Sequence, residues 1–237
     1  MCGRFIRQGD IDKIIREFGV QTVSCSLAPS YNIAPTQEIA VVIEDGAKQL
    51  TTVKWGLVPS WAGDMSGASR MINARAESIL QKPAFKDAFR RRRCLVVADG
   101  FYEWQKDGRN KRPIFIGLKT GQSFGFAGIY EDWISPEGHA VRTCAIITTE
   151  ANELMRPIHD RMPVIIPRGQ EDLWLDCEAE GSDHGVVELL ELLRPYPAEE
   201  METHQVSNLV NSVANDSREC LLPPSQEVTE HPLLPFE

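Results

Sequence analysis

Two periods of hydrophobic and polar positions run along this chain, and the places where one gives way to the other mark its elements. In "GDIDKIIREFG" the apolar residues Ile11, Ile14, Ile15 and Phe18 share one face at helical spacing, with Asp10 placed to cap the start and Gly19 the end. "KPAFKDAFRRRR" has the same spacing at Phe85 and Phe89, and Pro83 suits a first helical turn. Strand patterns dominate elsewhere. "EIAVVIE" and "LTTVKWGL" flank "DGAKQ" as the arms of a hairpin. "CLVVADGFYEWQ", "PIFIGL", "SFGFAGIYE" and "VRTCAIITT" follow in close order, separated by the turn sequences "KDGRNK", "KTGQ" and "SPEG". "ANELMRPIH" then reads as a short helix, "MPVIIP" as a strand, "EDLWLD" and "GVVELLELL" as helices, and "METHQVS" as a last strand.

This order predicts an α+β fold in one domain, with a mainly antiparallel sheet curling toward a barrel and helices interspersed. A chain of 237 residues can bury one such core. No internal repeat or long linker divides it. The domain is expected to span residues 1–220, followed by a proline-containing tail over 221–237, with loosely held character setting in after about residue 212.

Composition narrows the class. Hydrophobic residues make up 42% and charged residues 25%, and no apolar run is long enough for a membrane span. Arg4, Arg7 and Asp10 interrupt any secretory signal, so a cytoplasmic protein is expected. The six cysteines (Cys2, Cys25, Cys94, Cys144, Cys177, Cys220) form no C-x-x-C pair, and no His has metal-ligand spacing, so neither metal nor cofactor is called for. Cys94 and Cys144 read as small buried hydrophobes. The net charge of −9 conceals an asymmetry: residues 1–120 hold 19 Lys and Arg against 12 Asp and Glu, residues 121–237 only 6 against 22. The basic half, densest at Lys86 and Arg90–Arg93, could meet phosphates or simply be solvated.

Candidate chemistry begins at the second residue. Removal of Met1 would leave Cys2 with an α-amine and a thiol on one residue. An α-amine titrates near 8, so part of it is neutral and nucleophilic at neutral pH. Such an amine forms an imine with an aldehyde, and the adjacent thiol closes a thiazolidine ring in an effectively unimolecular step. Asn73 and Arg75 in "INARAE" offer an amide that donates and accepts and a planar fork for phosphate, although Asn73 could equally cap a helix. Glu103, among Phe101, Tyr102 and Trp104, is a carboxylate that desolvation could tune for acid catalysis, or an edge-strand residue facing water. His159 in "IHDRMP" is placed for proton transfer or for ordinary hydrogen bonding. "YNIAPTQ" with Pro35 and "WGLVPSW" with Trp55, Pro59 and Trp61 could fill a core or stack against unpaired bases.

Taken in order, "MCGRF", "YNIAP", "WGLVPSW", "INARAE", "RRCLVVADGFYEW", "HDRMP" and "VSNLVNSVAND" resemble the SOS-response-associated peptidase family, whose members are abasic site processing proteins. The motifs run from residue 2 to about residue 220, and their ordered set is far more specific than any one of them. The resemblance implies a DNA damage response protein, a monomer that binds single-stranded DNA and joins its amino-terminal Cys covalently to the ring-opened aldehyde of an abasic site, shielding it from strand cleavage. It would be nucleoid-associated when on DNA. Cys2 would be the nucleophile, Asn73 would orient its amine and the sugar, and Glu103 and His159 would handle protons. Arg4, Arg75 and Arg161 would hold phosphates, and Pro35, Trp61, Thr148 and Pro163 would line the DNA path. Pro83 stands where some relatives carry a basic residue, for which Arg90–Arg93 offer a substitute.

Two other readings use the same residues. One is a cysteine peptidase in which Cys2 attacks amides, His159 is the base and Asn73 the oxyanion donor, with removal of Met1 as self-cleavage. The other is a noncovalent single-strand binding module in which Cys2 is incidental. Lyase-type chemistry could accompany crosslinking.

Overall fold

A computed structural model of the chain describes residues 2–177 and 183–224. Its strands are β1 (Phe5–Arg7), β2 (Thr22–Val23), β3 (Ser30–Ile33), β4 (Glu38–Glu44), β5 (Lys48–Trp55), β6 (Asn73–Arg75), β7 (Arg93–Ala98), β8 (Gly100–Asp107), β9 (Asn110–Leu118), β10 (Phe124–Ile134), β11 (Ala140–Glu150), β12 (Arg161–Pro163) and β13 (Met201–Gln205). The helices are α1 (Ile11–Phe18), α2 (Pro83–Arg91), α3 (Glu171–Leu175) and α4 (Asp183–Glu191). Local signals in the sequence place the first two. Asp10 accepts the Lys13 N–H at 2.7 Å at the start of α1, Gly19 ends it in the left-handed region at φ 65°, and Pro83 opens α2.

Five strands pair in a ring. β10 lies antiparallel between β11 and β7, β7 pairs with β4, β4 with β5, and β5 returns parallel to β11 through Thr143↔Lys54 and Cys144↔Trp55. The ring closes the sheet into a barrel, which removes most of its exposed edges. Beyond that contact β11 continues, taking β6 in parallel on Ile146–Thr148 and β12 antiparallel on Thr148–Glu150. A second sheet, ordered β13-β9-β8-β1-β3, carries the amino-terminal strand.

Alternation along the barrel strands splits the core in two. One set, including Val41, Trp55, Cys94, Phe126 and Cys144, packs with Phe5, Phe101 and Ile116 of the second sheet. The other, including Val42, Leu95, Ala127 and Ile147, packs with Ile14 and Phe18 of α1, Phe89 of α2 and Trp174 of α3. Phe5 meets Trp55 and Phe126 edge-on, with ring centroids 5.3 and 5.9 Å apart, so β1 is pinned to the barrel by aromatic packing. Cys94 and Cys144 are fully buried, as expected. No helix among the described residues is long and apolar enough to cross a membrane.

Four local expectations need correction. "CLVVADGFYEWQ" is two strands in different sheets, because the chain crosses over at Asp99. That carboxylate accepts from Gly9 N at 3.0 Å, Ser123 Oγ at 2.6 Å and Lys13 Nζ at 3.2 Å, and at Gly100 a Cβ would lie 2.2 Å from the Phe115 ring. "ANELMRPIH" forms turns rather than a helix, held where the Asn152 side chain accepts the Met155 N–H at 2.9 Å and donates to Tyr196 O at 2.7 Å. Of "MPVIIP" only Met162 and Pro163 belong to a strand, β12, and beyond it Ile165 makes an isolated antiparallel bridge to Phe126. Residues 213–222 are not loose: Asp216 accepts from Ser30 Oγ and the Tyr31 N–H, and Cys220 is fully buried beside Ile6 and Tyr102. Residues 225–237 of the expected tail lie outside the described residues.

Candidate active site

The crossover at Asp99 delivers β8 to the side of β1, and the site grows from that pairing. Phe5↔Phe101 and Ile6↔Gly100 fix the register, and the Tyr102 N–H donates to Arg4 O at 2.9 Å. Carried one step further, the register sets Gly3 opposite Glu103. Cys2 lies fully buried at this end, its carbonyl accepting the Asn73 side-chain N–H at 2.8 Å. Burial pushes the Cys2 thiol well above the usual range and the charge of Glu103 reinforces this, against the amino terminus and the Arg4 backbone N–H.

Glu103 is only 4% exposed, since β8 is an inner strand between β1 and β9 rather than an edge. Desolvation pushes its carboxyl up to about 7, although the amino terminus and the Trp104 N–H pull the other way. Asn73 begins β6, in register with Ile146, so it is a strand residue and not a helix cap. Its Oδ1 is buried and accepts no hydrogen bond.

His159 completes the cluster. Its Nδ1 accepts the Arg161 N–H at 3.0 Å, which leaves the ring proton on Nε2. Asp160 Oδ1 also lies 2.8 Å from Nδ1, a contact that only a protonated ring would reward. Partial burial and the positive amino terminus lower the ring's pKa, so the neutral ring with its backbone bond governs. The charge of Glu103 acts on the Cys2 thiol, Asp160 beside His159 acts on Glu103, and Asn73 holds the Cys2 main chain. The four expected catalytic residues therefore converge.

The residues expected along a DNA path divide. Arg75, Thr148 and Pro163 occupy one register row across β6, β11 and β12. Arg75 is exposed, whereas Thr148 and Pro163 are buried. Trp61 projects from the loop after β5, 71% exposed, while Pro35 is half-buried beside Thr36, whose φ of 74° bends the chain so that its N–H reaches Trp55 O at 2.8 Å.

Arg4 and Arg161 both have partners within the protein. Arg4 Nη1 donates to Asn32 Oδ1 at 2.5 Å and Val210 O at 2.8 Å, with the guanidinium 5.6 Å from the centre of the Trp104 ring. Arg161 grips Glu77 through two bonds of 3.0 and 2.9 Å. Within the Arg90–Arg93 run, Arg93 is buried and donates to the carbonyls of Trp174, Phe89, Arg90 and Asp176, so it serves the fold, and Arg92 pairs with Glu131. Sequence reasoning noted Glu77 beside Asn73 and Arg75 in "INARAE" without giving it a role, and passed over Asn32 and Asp216, although they stand inside "YNIAP" and "VSNLVNSVAND". Among the described residues no group of three His, Cys, Asp or Glu is arranged to hold a metal.

A closed, mainly antiparallel barrel packed on a second sheet, with a buried second-residue Cys held by Asn73 near Glu103, defines a class of protein. Residues 1–213 match the family described as SOS response associated peptidase (SRAP), and the chain belongs to it. Abasic site processing protein YoqW of Bacillus subtilis (strain 168) is 45% identical, over 93% of this chain and 99% of its own. Abasic site processing protein HMCES of Gallus gallus is 34% identical, over 82% of this chain and 66% of its own. A crystal structure of a Bacteroides thetaiotaomicron protein superposes with a TM-score of 0.83 at 26% identity, covering 94% of this chain and 99% of that one.

Proposed function

We propose that this protein acts in the response to DNA damage by capturing abasic sites in single-stranded DNA as a thiazolidine formed with Cys2, once Met1 is removed. The Cys2 amine adds to the C1′ aldehyde of the ring-opened sugar, and loss of one water gives the imine. Cys2 Sγ then adds to the imine carbon while its proton passes to the nitrogen, closing the ring without further loss. Glu103, titrating near 7, is protonated often enough to assist sugar opening and departure of water, and neutral His159, with its ring proton on Nε2, supplies a second group for proton transfer. Sealing the imine would protect the strand from β-elimination.

One observation carries this reading: Asn73 grips the carbonyl of a Cys2 whose thiol is buried and held protonated. A cysteine peptidase needs a thiolate in an electropositive setting, which burial beside Glu103 opposes. Capture that begins with the amine needs the thiol only afterwards, for ring closure. The names of the relatives, abasic site processing proteins, support the same substrate. Arg75 and Trp61, both exposed, are the side chains best placed for a phosphate and a base. Incubation with abasic and intact oligonucleotides of equal length tests the reading. Covalent attachment to the abasic strand alone is expected, and equal noncovalent binding with no attachment would overturn it.

A further inference from the structure

Arg161 is presented as a phosphate fork that is already filled. Its backbone is fixed in β12 against Glu150 of β11, and its side chain is fixed by Thr148, with Nη2 donating to Thr148 O at 2.6 Å and Nε to Thr148 Oγ1 at 3.3 Å. The outward edge of the guanidinium is taken by Glu77, Nη1 to Oε1 at 3.0 Å and Nη2 to Oε2 at 2.9 Å. Four of the five N–H groups are thereby used, and the two that face Glu77 are those a phosphodiester would need for a two-point contact.

The two partners are held very differently. Arg161 has a side chain 15% exposed, Glu77 one 54% exposed. Glu77 sits in a single helical turn just past β6 and can rotate into water, whereas Arg161 stays braced by Thr148 when it goes. Partial burial, which opposes ionisation of Glu77, is outweighed by the hydrogen bonds and charge of Arg161, so the carboxylate is present as an anion at neutral pH.

We infer that Glu77 is an internal competitor for DNA phosphate at Arg161, a carboxylate that a strand must displace before its backbone can engage the fork. This rests on the single-stranded DNA reading above. It assigns Glu77 a part in specificity: intact strands are held weakly because their phosphate only replaces an existing partner, and strands that also offer an aldehyde are retained by the covalent bond.

The test measures binding of an intact single-stranded oligonucleotide across a salt series. Glu77→Gln keeps the shape and removes the charge, and Glu77→Ala removes the carboxylate with its stem, so that one misfolded variant does not end the test. Each variant is expected to bind about two- to five-fold tighter, the range an exposed ion pair supports. The slope of log affinity on log salt should steepen by about 0.7, one added phosphate contact on a single strand. Adding Arg161→Gln to either variant should abolish the gain. Affinity and slope equal to or below those of the parent in the folded variants would overturn the inference and leave Glu77 a brace for Arg161. A parent protein that binds no oligonucleotide, intact or abasic, would instead remove the DNA reading on which the inference rests.

Discussion

The Asn73 side-chain amide donates to the main-chain carbonyl of Cys2 at 2.8 Å, across 71 residues of sequence. The bond acts on the backbone of the reacting residue and leaves both its amine and its thiol uncommitted by Asn73. Loss of one such bond weakens positioning by about 1–1.5 kcal/mol, roughly tenfold in rate. Asn73→Ala should therefore slow adduct formation by about tenfold, followed as adduct on denaturing gels, while shifting the unfolding midpoint only slightly.

Glu103 gives the fold a pH dependence whose sign follows from its raised pKa. The stability contributed by its neutral form is complete below the ordinary value of 4.5 and is lost as pH rises through about 7. At full ionisation the difference is roughly 3 kcal/mol. Glu103→Gln remains neutral, so the variant should be close to the parent in stability near pH 4 and more stable at pH 8 by up to that amount. Urea unfolding at the two pH values measures this. The same variant should lose most of its adduct formation, since it can no longer exchange a proton.

Asn32 is 1% exposed and ties the carboxy-terminal segment to β1 and β3. Its Nδ2 donates to Ser212 O at 2.8 Å and Asn215 O at 2.6 Å, and its Oδ1 accepts from Arg4. Asn32→Leu would take this partner from those carbonyls and from the guanidinium in a part-buried setting, at about 1–3 kcal/mol of stability. Chemical denaturation should show this loss. Because Arg4 lies two residues from Cys2, adduct formation by the folded fraction should slow as well.

Gly56 begins the turn that carries Trp61. Its φ is 130°, and a Cβ there would sit 2.7 Å from the Ala68 carbonyl oxygen. Backbone cannot move aside as a flexible side-chain tip would. Gly56→Ala should cost about 1–3 kcal/mol from the dihedral alone, and more from the clash, read as a lower thermal midpoint. The exposed Trp61 makes no such demand, so Trp61→Ala should leave stability within about 0.5 kcal/mol and weaken binding of single strands by about 1–3 kcal/mol.

Much of this was legible in the sequence, for local reasons. The caps of α1 and the β4–β5 hairpin follow from neighbouring residues, and the Cys2 aminothiol needs only its position in the chain. What could not be read depends on contacts distant in sequence. "CLVVADGFYEWQ" carries an unbroken strand pattern, and the break at Asp99 follows from donors on Gly9, Lys13 and Ser123. Without that crossover Glu103 could not be seen to be buried. The partners of Arg4, Asn32 and Val210, lie 28 and 206 residues away, so its internal bonds could not be read from its neighbours. The convergence of Arg75, Thr148 and Pro163 on one row required β6 and β12 to flank the same stretch of β11.

The central claim is that the amine and thiol of Cys2 together take up an abasic aldehyde. Intact mass spectrometry of the purified protein, mixed with an abasic single-stranded oligonucleotide and no reductant, tests it most directly. The predicted species is the chain lacking Met1 plus one oligonucleotide less one water, stable to heat and absent for Cys2→Ala. An adduct of equal yield from Cys2→Ala, or one trapped only after borohydride reduction, would contradict it.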